Sequence, residues 1–181
     1  MRAVWIQPDE AYLEERRRHG QDKADEVWDG VLHMVPPPAY LHANLGTRLV
    51  IALDPIANRR GLMVIGDCSG LFDTDDNYRV PDITLYRPDQ ISKRGLEGAE
   101  FVVEMLSPHD EARAKFPFYA KVGVREIWLI QPETRAIEIH ALDRGAYKIV
   151  APTRSPLLEI EIDVIEGPRL RLRDGDNVYE V

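Results

Sequence analysis

The sequence predicts a mixed α/β fold around a central sheet, and three observations carry that prediction. Segments with helical and strand periods alternate along the chain. Residues 101–106 are apolar at both parities apart from Glu104, the pattern of a strand covered on both faces. A helix-length segment separates that run from the apolar stretch Glu126–Ile130, so the two strands require a parallel crossover.

The elements follow in order. Residues 8–19 form a first helix, with Asp9 and Glu10 near its start, basic residues at its end and Gly20 as the stop. Its triplet Arg16, Arg17, Arg18, flanked by Glu14 and Glu15, reads as a solvated face. In EVWDGVLHM, Asp29-Gly30 is the preferred pair for a two-residue type I′ turn, so Glu26–Trp28 pairs with Val31–Met34. Pro36, Pro37 and Pro38 end that hairpin. Leu41, Leu45, Leu49 and Leu53 then recur every four residues, the buried stripe of a helix that ends near Asp54-Pro55. Strands follow at 62–65, 70–72, 80–86 and 100–106, the third after the turn DTDDN. Pro117 is acceptable only in the first turn of a helix, which places a helix start near Lys115 or Phe116 and its end at Gly123. After the strand Glu126–Ile130, residues 135–142 and 146–150 form a hairpin around Asp143-Arg144-Gly145, and 157–162 and 170–173 are further strands.

Nothing in 181 residues marks a composition shift, so residues 1–181 read as one domain. No run approaches the roughly 18 apolar residues that span a bilayer, and the N-terminus is acidic too early for a signal peptide, which points to the cytoplasm. One cysteine, Cys68, excludes an internal disulfide framework and a multi-cysteine zinc site. A net charge of -8 argues against a surface built for broad nucleic-acid binding while leaving room for a local basic groove.

The candidates for chemistry are charges that propensity does not explain. A carboxylate in a doubly covered strand costs several kcal/mol without a partner, so Glu104 needs a cation, a metal or hydrogen-bond donors. Asp82 follows Pro81, a residue confined to strand starts, edges and bulges, and shares a strand face with Thr84 and Tyr86. Each has a bland alternative: Asp82 as a turn or capping residue, and Glu104 as a core acid paired with an arginine such as Arg113 or Arg125. Together, on adjacent strands with Lys115 arriving from the next element, they form a site for a hard divalent cation that keeps several waters. A solvated lysine at a helix start is the competing reading of Lys115, although a cation there opposes the helix dipole. Trp5, Trp28 and Trp128 read as core, Cys68 as inert, His109 and Asp110 as solvated loop residues, and Asp73, Asp75 and Asp76 as a solvated turn.

The pieces EVWDG, the helix with His42, VPDITLY, FVVEMLSP, KFPFYAKVGVREIWLI and Pro132 resemble the Uma-two family of restriction-endonuclease-like proteins over roughly residues 10–145. That resemblance implies the PD-(D/E)XK nuclease fold, a central mixed sheet flanked by helices, here with added β-hairpins, and a Mg²⁺- or Mn²⁺-dependent endonuclease acting on DNA. By position, Asp82 is similar to the first acid and Glu104 to the second. Lys115 is similar to a catalytic lysine displaced onto the following helix, since Leu106 stands where the short motif has it. Asp82 and Glu104 would hold the metal. Glu26 matches an N-terminal acid that completes the metal shell or orients a water. His42 and Ser107 match accessory polar positions, with His42 either approaching the phosphate or serving as a hydrogen-bonded structural residue. The chain departs from the family in a shorter segment between Pro108 and Lys115 and in Gln131-Pro132, where Asp-Pro is commoner. The resemblance also implies pairing as a homodimer, for which no stretch supplies a signal of its own. The alternative is a non-catalytic binding or assembly module that keeps the nuclease fold.

Overall fold

The computed structural model describes residues 3–5, 9–66, 70–107 and 111–181, so Cys68, Pro108, His109, Asp110 and the side chain of Trp5 lie outside the described residues. The chain runs β1 (Ala3–Trp5), α1 (Glu10–Arg18), β2 (Glu26–Trp28), β3 (Val31–Met34), α2 (Tyr40–Asn58), β4 (Met63–Gly66), β5 (Leu71–Thr74) and β6 (Asn77–Arg79). It continues through β7 (Ile83–Tyr86), β8 (Phe101–Met105), a 3-10 turn at Ala112–Lys115, α3 (Phe116–Lys121), β9 (Glu126–Ile130) and β10 (Ile137–Asp143). The strands β11 (Ala146–Val150), β12 (Glu161–Ile165), β13 (Arg169–Asp174) and β14 (Asn177–Glu180) complete it.

Local chemistry explains most of these boundaries. Asp9 caps α1 by accepting the Ala11 N–H at 3.0 Å. Asp29 and Gly30 both adopt positive φ, 48° and 84°, as a type I′ turn demands, and Glu26 pairs across it with His33. The central sheet has the order β11-β10-β9-β8-β7-β4, with β8 and β9 parallel as the crossover requires. A second sheet, β1-β3-β2-β6-β5, and a third, β12-β13-β14, complete the architecture.

Apolar clusters cover both faces of the central sheet. On one, Ile83, Leu85, Phe101 and Val103 pack against Leu45, Leu49 and Leu53 of α2 and against Leu158, Ile162 and Leu172 of the C-terminal segments. On the other, Val102, Ile127 and Leu129 pack against Phe118 and Tyr119 of α3. The three fully buried leucines of α2 each contribute about 1.5–3 kcal/mol, whereas Leu41, at the start of the stripe, is 47% exposed.

Four expectations change. First, α2 continues through Pro55 to Asn58. Proline costs about 3 kcal/mol in a helix interior, but Ile56 and Ala57 beyond it are both fully buried, and their packing offsets that cost. Second, the strand expected at 80–86 begins only at Ile83, because Pro81 has no N–H for a ladder; the chain before it forms a separate strand, β6, that ends at Arg79 in the other sheet. Third, residues 157–160 form a turn rather than a strand. Leu157 N–H goes to Glu126, Leu158 N–H to Ser155 Oγ, and Glu159 has φ 54°. Fourth, β1, β6 and β14 have no counterpart among the expected strands; the side chains of β14 are half-buried or exposed, so no apolar alternation announces it.

Two strands open on the same device. Trp28 donates its indole N–H to Glu26 at 2.7 Å, and Trp128 donates to Glu126 at 2.7 Å. Glu126 also accepts from Ser155 Oγ at 2.6 Å and Leu157 N at 2.7 Å, so one buried carboxylate fastens the chain after β11 to the central sheet. Burial raises its pKa despite these donors. Glu126→Ala leaves three donors, two of them buried, without an acceptor and is expected to destabilise the protein by about 3 kcal/mol, read as a lowered urea midpoint at unchanged m-value.

Candidate active site

Three strands and one short helical segment bring the candidate residues together. β7 and β8 pair antiparallel with Ile83 opposite Val103 and Thr84 opposite Val102. One further step in that register sets Asp82 across from Glu104, so the two carboxylates leave the sheet on the same face. The face is the one α3 covers. Lys115, at the end of the 3-10 turn, is 2% exposed and donates from Nζ to Glu104 Oε1 at 2.9 Å and to Glu26 Oε1 at 2.7 Å. Tyr119, one helical turn on, donates its hydroxyl to the same Glu104 Oε1. Glu26 accepts in addition from Val80 N at 3.1 Å and from the Trp28 indole. Asp82 is held by Met105 N–H on Oδ2 at 2.6 Å and lies 2.9 Å from His42 Nε2 on Oδ1. Its side chain and that of His42 are 18% and 19% exposed, so the cluster meets solvent at this end while Lys115, Tyr119 and Glu26 close the other.

The comparisons with known proteins bear on this geometry. The family model Uma2, described as "Putative restriction endonuclease", matches residues 7–172. The chain belongs to the Uma2 family. A solved structure described as "a putative nuclease belonging to DUF820" from Anabaena variabilis ATCC 29413 is similar in fold, with a TM-score of 0.60 at 18% identity, covering 76% of this chain and 84% of the other. A search of curated proteins returns no match.

In this Uma2 chain the charges of the cluster are not independent. Burial pushes the Glu26 carboxyl up, but Lys115 together with Val80 N–H and the Trp28 indole outweighs it, so its pKa lies below the usual value. Burial dominates at Glu104, and the negative charges of Asp82 and Glu26 add to it, so the pull of Lys115 is overcome and the pKa rises to about 7. Burial alone would lower Lys115, yet Glu104 and Glu26 hold it above its ordinary value. Lys115 therefore stays charged and serves Glu26 first, while Glu104 takes up a proton near neutrality. Tyr119 is pushed well above the ordinary phenol range by burial and the nearby acids, so it remains a donor.

The donor set fits a hard divalent cation. Asp82 and Glu104 offer oxygen ligands on one face, and Glu104 Oε2 receives no hydrogen bond from a described residue. Burial is the main cause of the raised Glu104 pKa, and the repulsion that Asp82 and Glu26 add to it is what a cation would relieve. Among the described residues no group of three or more His, Cys, Asp or Glu is arranged as a ready-made cage, so a bound ion would keep several waters.

Of the sequence-derived residues, Asp82, Glu104, Lys115, Glu26 and His42 meet in this cluster. Ser107 is exposed just beyond β8. Lys115 is buried, not a solvated helix-start lysine. The arginine partners considered for Glu104 are engaged elsewhere, Arg113 with Glu138 and Arg125 with Glu100. Arg16 leaves the solvated face to pair with Asp25 at 2.7 Å. Tyr119 was missed, although its spacing of four from Lys115 in KFPFY puts both on one helical face. Two surface concavities, one lined by Phe72, Asp73, Arg94 and Lys121 and one by Glu10, Glu14, Arg17 and Arg18, contain none of these groups.

Two outcomes follow for the metal-free protein. A carboxyl whose folded pKa is raised stabilises the fold fully below the unfolded value of 4.5 and loses that contribution as pH rises through about 7. Stability is thus expected to fall between pH 5 and 8 by roughly 1–3 kcal/mol from this source, and thermal melts of Glu104→Gln should lack that part of the slope. Lys115→Met strands two buried carboxylates and is expected to cost about 3–5 kcal/mol at pH 8, with partial recovery at pH 5, where Glu104 is protonated.

Proposed function

We propose that this Uma2 protein is a metal-dependent endonuclease that hydrolyses phosphodiester bonds in DNA, with residues 1–181 acting as one unit of the PD-(D/E)XK type in the cytoplasm. The observation that supports it most is that Asp82, just before β7, accepts the Met105 N–H beside Glu104 of β8, with Lys115 Nζ 2.9 Å from Glu104. Two carboxylates and a lysine on one face are the parts that phosphoryl chemistry requires.

Asp82 and Glu104 would hold Mg²⁺ or Mn²⁺, which supplies charge to polarise the phosphate and acidify a bound water. Every other part belongs to the chain. The Met105 N–H and His42 fix the rotamer of Asp82, which spares it a search on binding. Tyr119 and Lys115 fix Glu104. Lys115, kept charged by Glu26, stabilises negative charge that develops on the phosphate, an effect typically worth about 100- to 1000-fold in rate. Glu26, with both oxygens occupied by donors, positions Lys115.

A second reading, a binding or assembly module on the same fold, is favoured by the net charge of -8 and by the deep burial of Lys115. Cleavage of plasmid DNA and of DNA and RNA oligonucleotides with Mg²⁺ or Mn²⁺ decides between them. Wild type is expected to cut DNA, and Asp82→Asn and Glu104→Gln to lose about 100-fold or more. Equal cutting by all three proteins assigns the activity to a contaminant, and no cutting by wild type leaves the module reading in possession.

A further inference from the structure

The hydrogen bonds to Glu104 are unevenly divided between its two oxygens. Oε1 accepts both the Lys115 ammonium, at 2.9 Å, and the Tyr119 hydroxyl, whereas Oε2 accepts from no described residue. A carboxylate oxygen offers about two lone-pair directions, so Oε1 is fully spent and Oε2 is untouched. The two oxygens also face different surroundings. Lys115 is 2% and Tyr119 0% exposed, which puts Oε1 on the closed side of the cluster. Glu104 itself is 6% exposed, and Oε2 is not one of the enclosed polar atoms that lack a partner, so Oε2 lies on the side that solvent reaches. Asp82, whose Oδ2 takes the N–H of the residue next to Glu104, is 18% exposed at that end.

The two donors on Oε1 are not equivalent. Lys115 Nζ has a second acceptor in Glu26 Oε1 at 2.7 Å, so a turn of Glu104 would still leave it an ion pair. Tyr119 has a single hydroxyl hydrogen and, among the described residues, no acceptor other than Glu104 Oε1. A buried hydroxyl stripped of its acceptor is costly, so Tyr119 is the donor that resists any turn of Oε1 toward an ion. That resistance bears on which ion fits. Ca²⁺ takes about six to eight oxygens and commonly both oxygens of one carboxylate, whereas Mg²⁺ keeps several waters and needs little from each acid.

We propose that the Tyr119 hydroxyl limits Glu104 to one ligand oxygen, Oε2, and so selects Mg²⁺ over Ca²⁺ at the pair formed by Asp82 and Glu104. The assignment rests on the metal site of the nuclease reading and adds to it the residue that sets the choice of ion. Tyr119 acts through Glu104 and is a positioning residue.

Metal binding without nucleic acid tests it. Isothermal titration calorimetry at pH 8 gives the affinities of Mg²⁺ and Ca²⁺ for wild type, Tyr119→Phe and Tyr119→Met; both variants lack the hydroxyl, and near-UV circular dichroism shows which keeps the native fold. The readout is the ratio of the two affinities within one protein, in which competition from a proton on Glu104 cancels. Wild type is expected to bind Mg²⁺ more tightly than Ca²⁺, and the folded variant to move the ratio about 10-fold toward Ca²⁺, as the loss of a ligand's outer partner does. Water-proton relaxation with Mn²⁺ gives a second reading: the bound ion should keep fewer waters in the variant, where Glu104 can offer both oxygens. Wild type that prefers Ca²⁺ overturns the proposal, as does a ratio unchanged in the folded variant. Binding that survives Glu104→Gln at full strength lies at another site and overturns it too. A shifted ratio in a protein that never cleaves DNA sinks the nuclease reading and leaves this assignment standing; cleavage by wild type with an unchanged ratio does the reverse.

Discussion

The buried ammonium of Lys115 is the contact on which the rest of the site depends. It touches carboxylates from two different sheets, Glu26 of β2 and Glu104 of β8, and it lies in a 3-10 turn that leads into α3. Three elements therefore meet at one nitrogen. Removing a charge from water is expensive, and it is tolerated here because both partners lie within 3 Å and further donors complete them. The imbalance of two acids per lysine leaves Glu104 as the member that exchanges its proton near neutrality. An ion pair of this kind adds little stability, and its effect here is to hold three elements in one arrangement.

The two sheets are joined by a very short piece of chain. Arg79 ends β6, Val80 gives its N–H to Glu26, Pro81 breaks the ladder, and Asp82 opens onto Glu104 from the start of β7. The apolar packing of α2 on one face and α3 on the other keeps the strands in register, but this link sets the relative place of Asp82 and Glu26.

Much of this was legible in the residues, for identifiable reasons. Glu104 stood out because a charge in a strand apolar at both parities has few explanations, and the parallel crossover followed from a helix between two such strands. The Asp29-Gly30 turn carries its own backbone signature. Features decided by long-range packing were not legible. That α2 passes Pro55 depends on what buries Ile56, and that residues 157–160 turn depends on Glu126, some thirty residues earlier. Lys115 was expected beside Glu104, but its contact with Glu26, 89 residues away, and the part played by Tyr119 have no local signal in the sequence.

The link between the sheets also bears on how this family can change length. In a paired strand, successive side chains point to opposite faces, so a shift of one residue reverses every one of them. An insertion between Asp82 and Ile83 would turn Asp82 away from Glu104, and one between Arg79 and Asp82 would pull Val80 off Glu26, without altering any residue type. The turn at Asp143-Arg144-Gly145, by contrast, stands clear of the cluster, and added residues there change only a loop. Length variation should thus be all but absent across these few positions and common at the hairpin tips, a constraint imposed by parity rather than by chemistry.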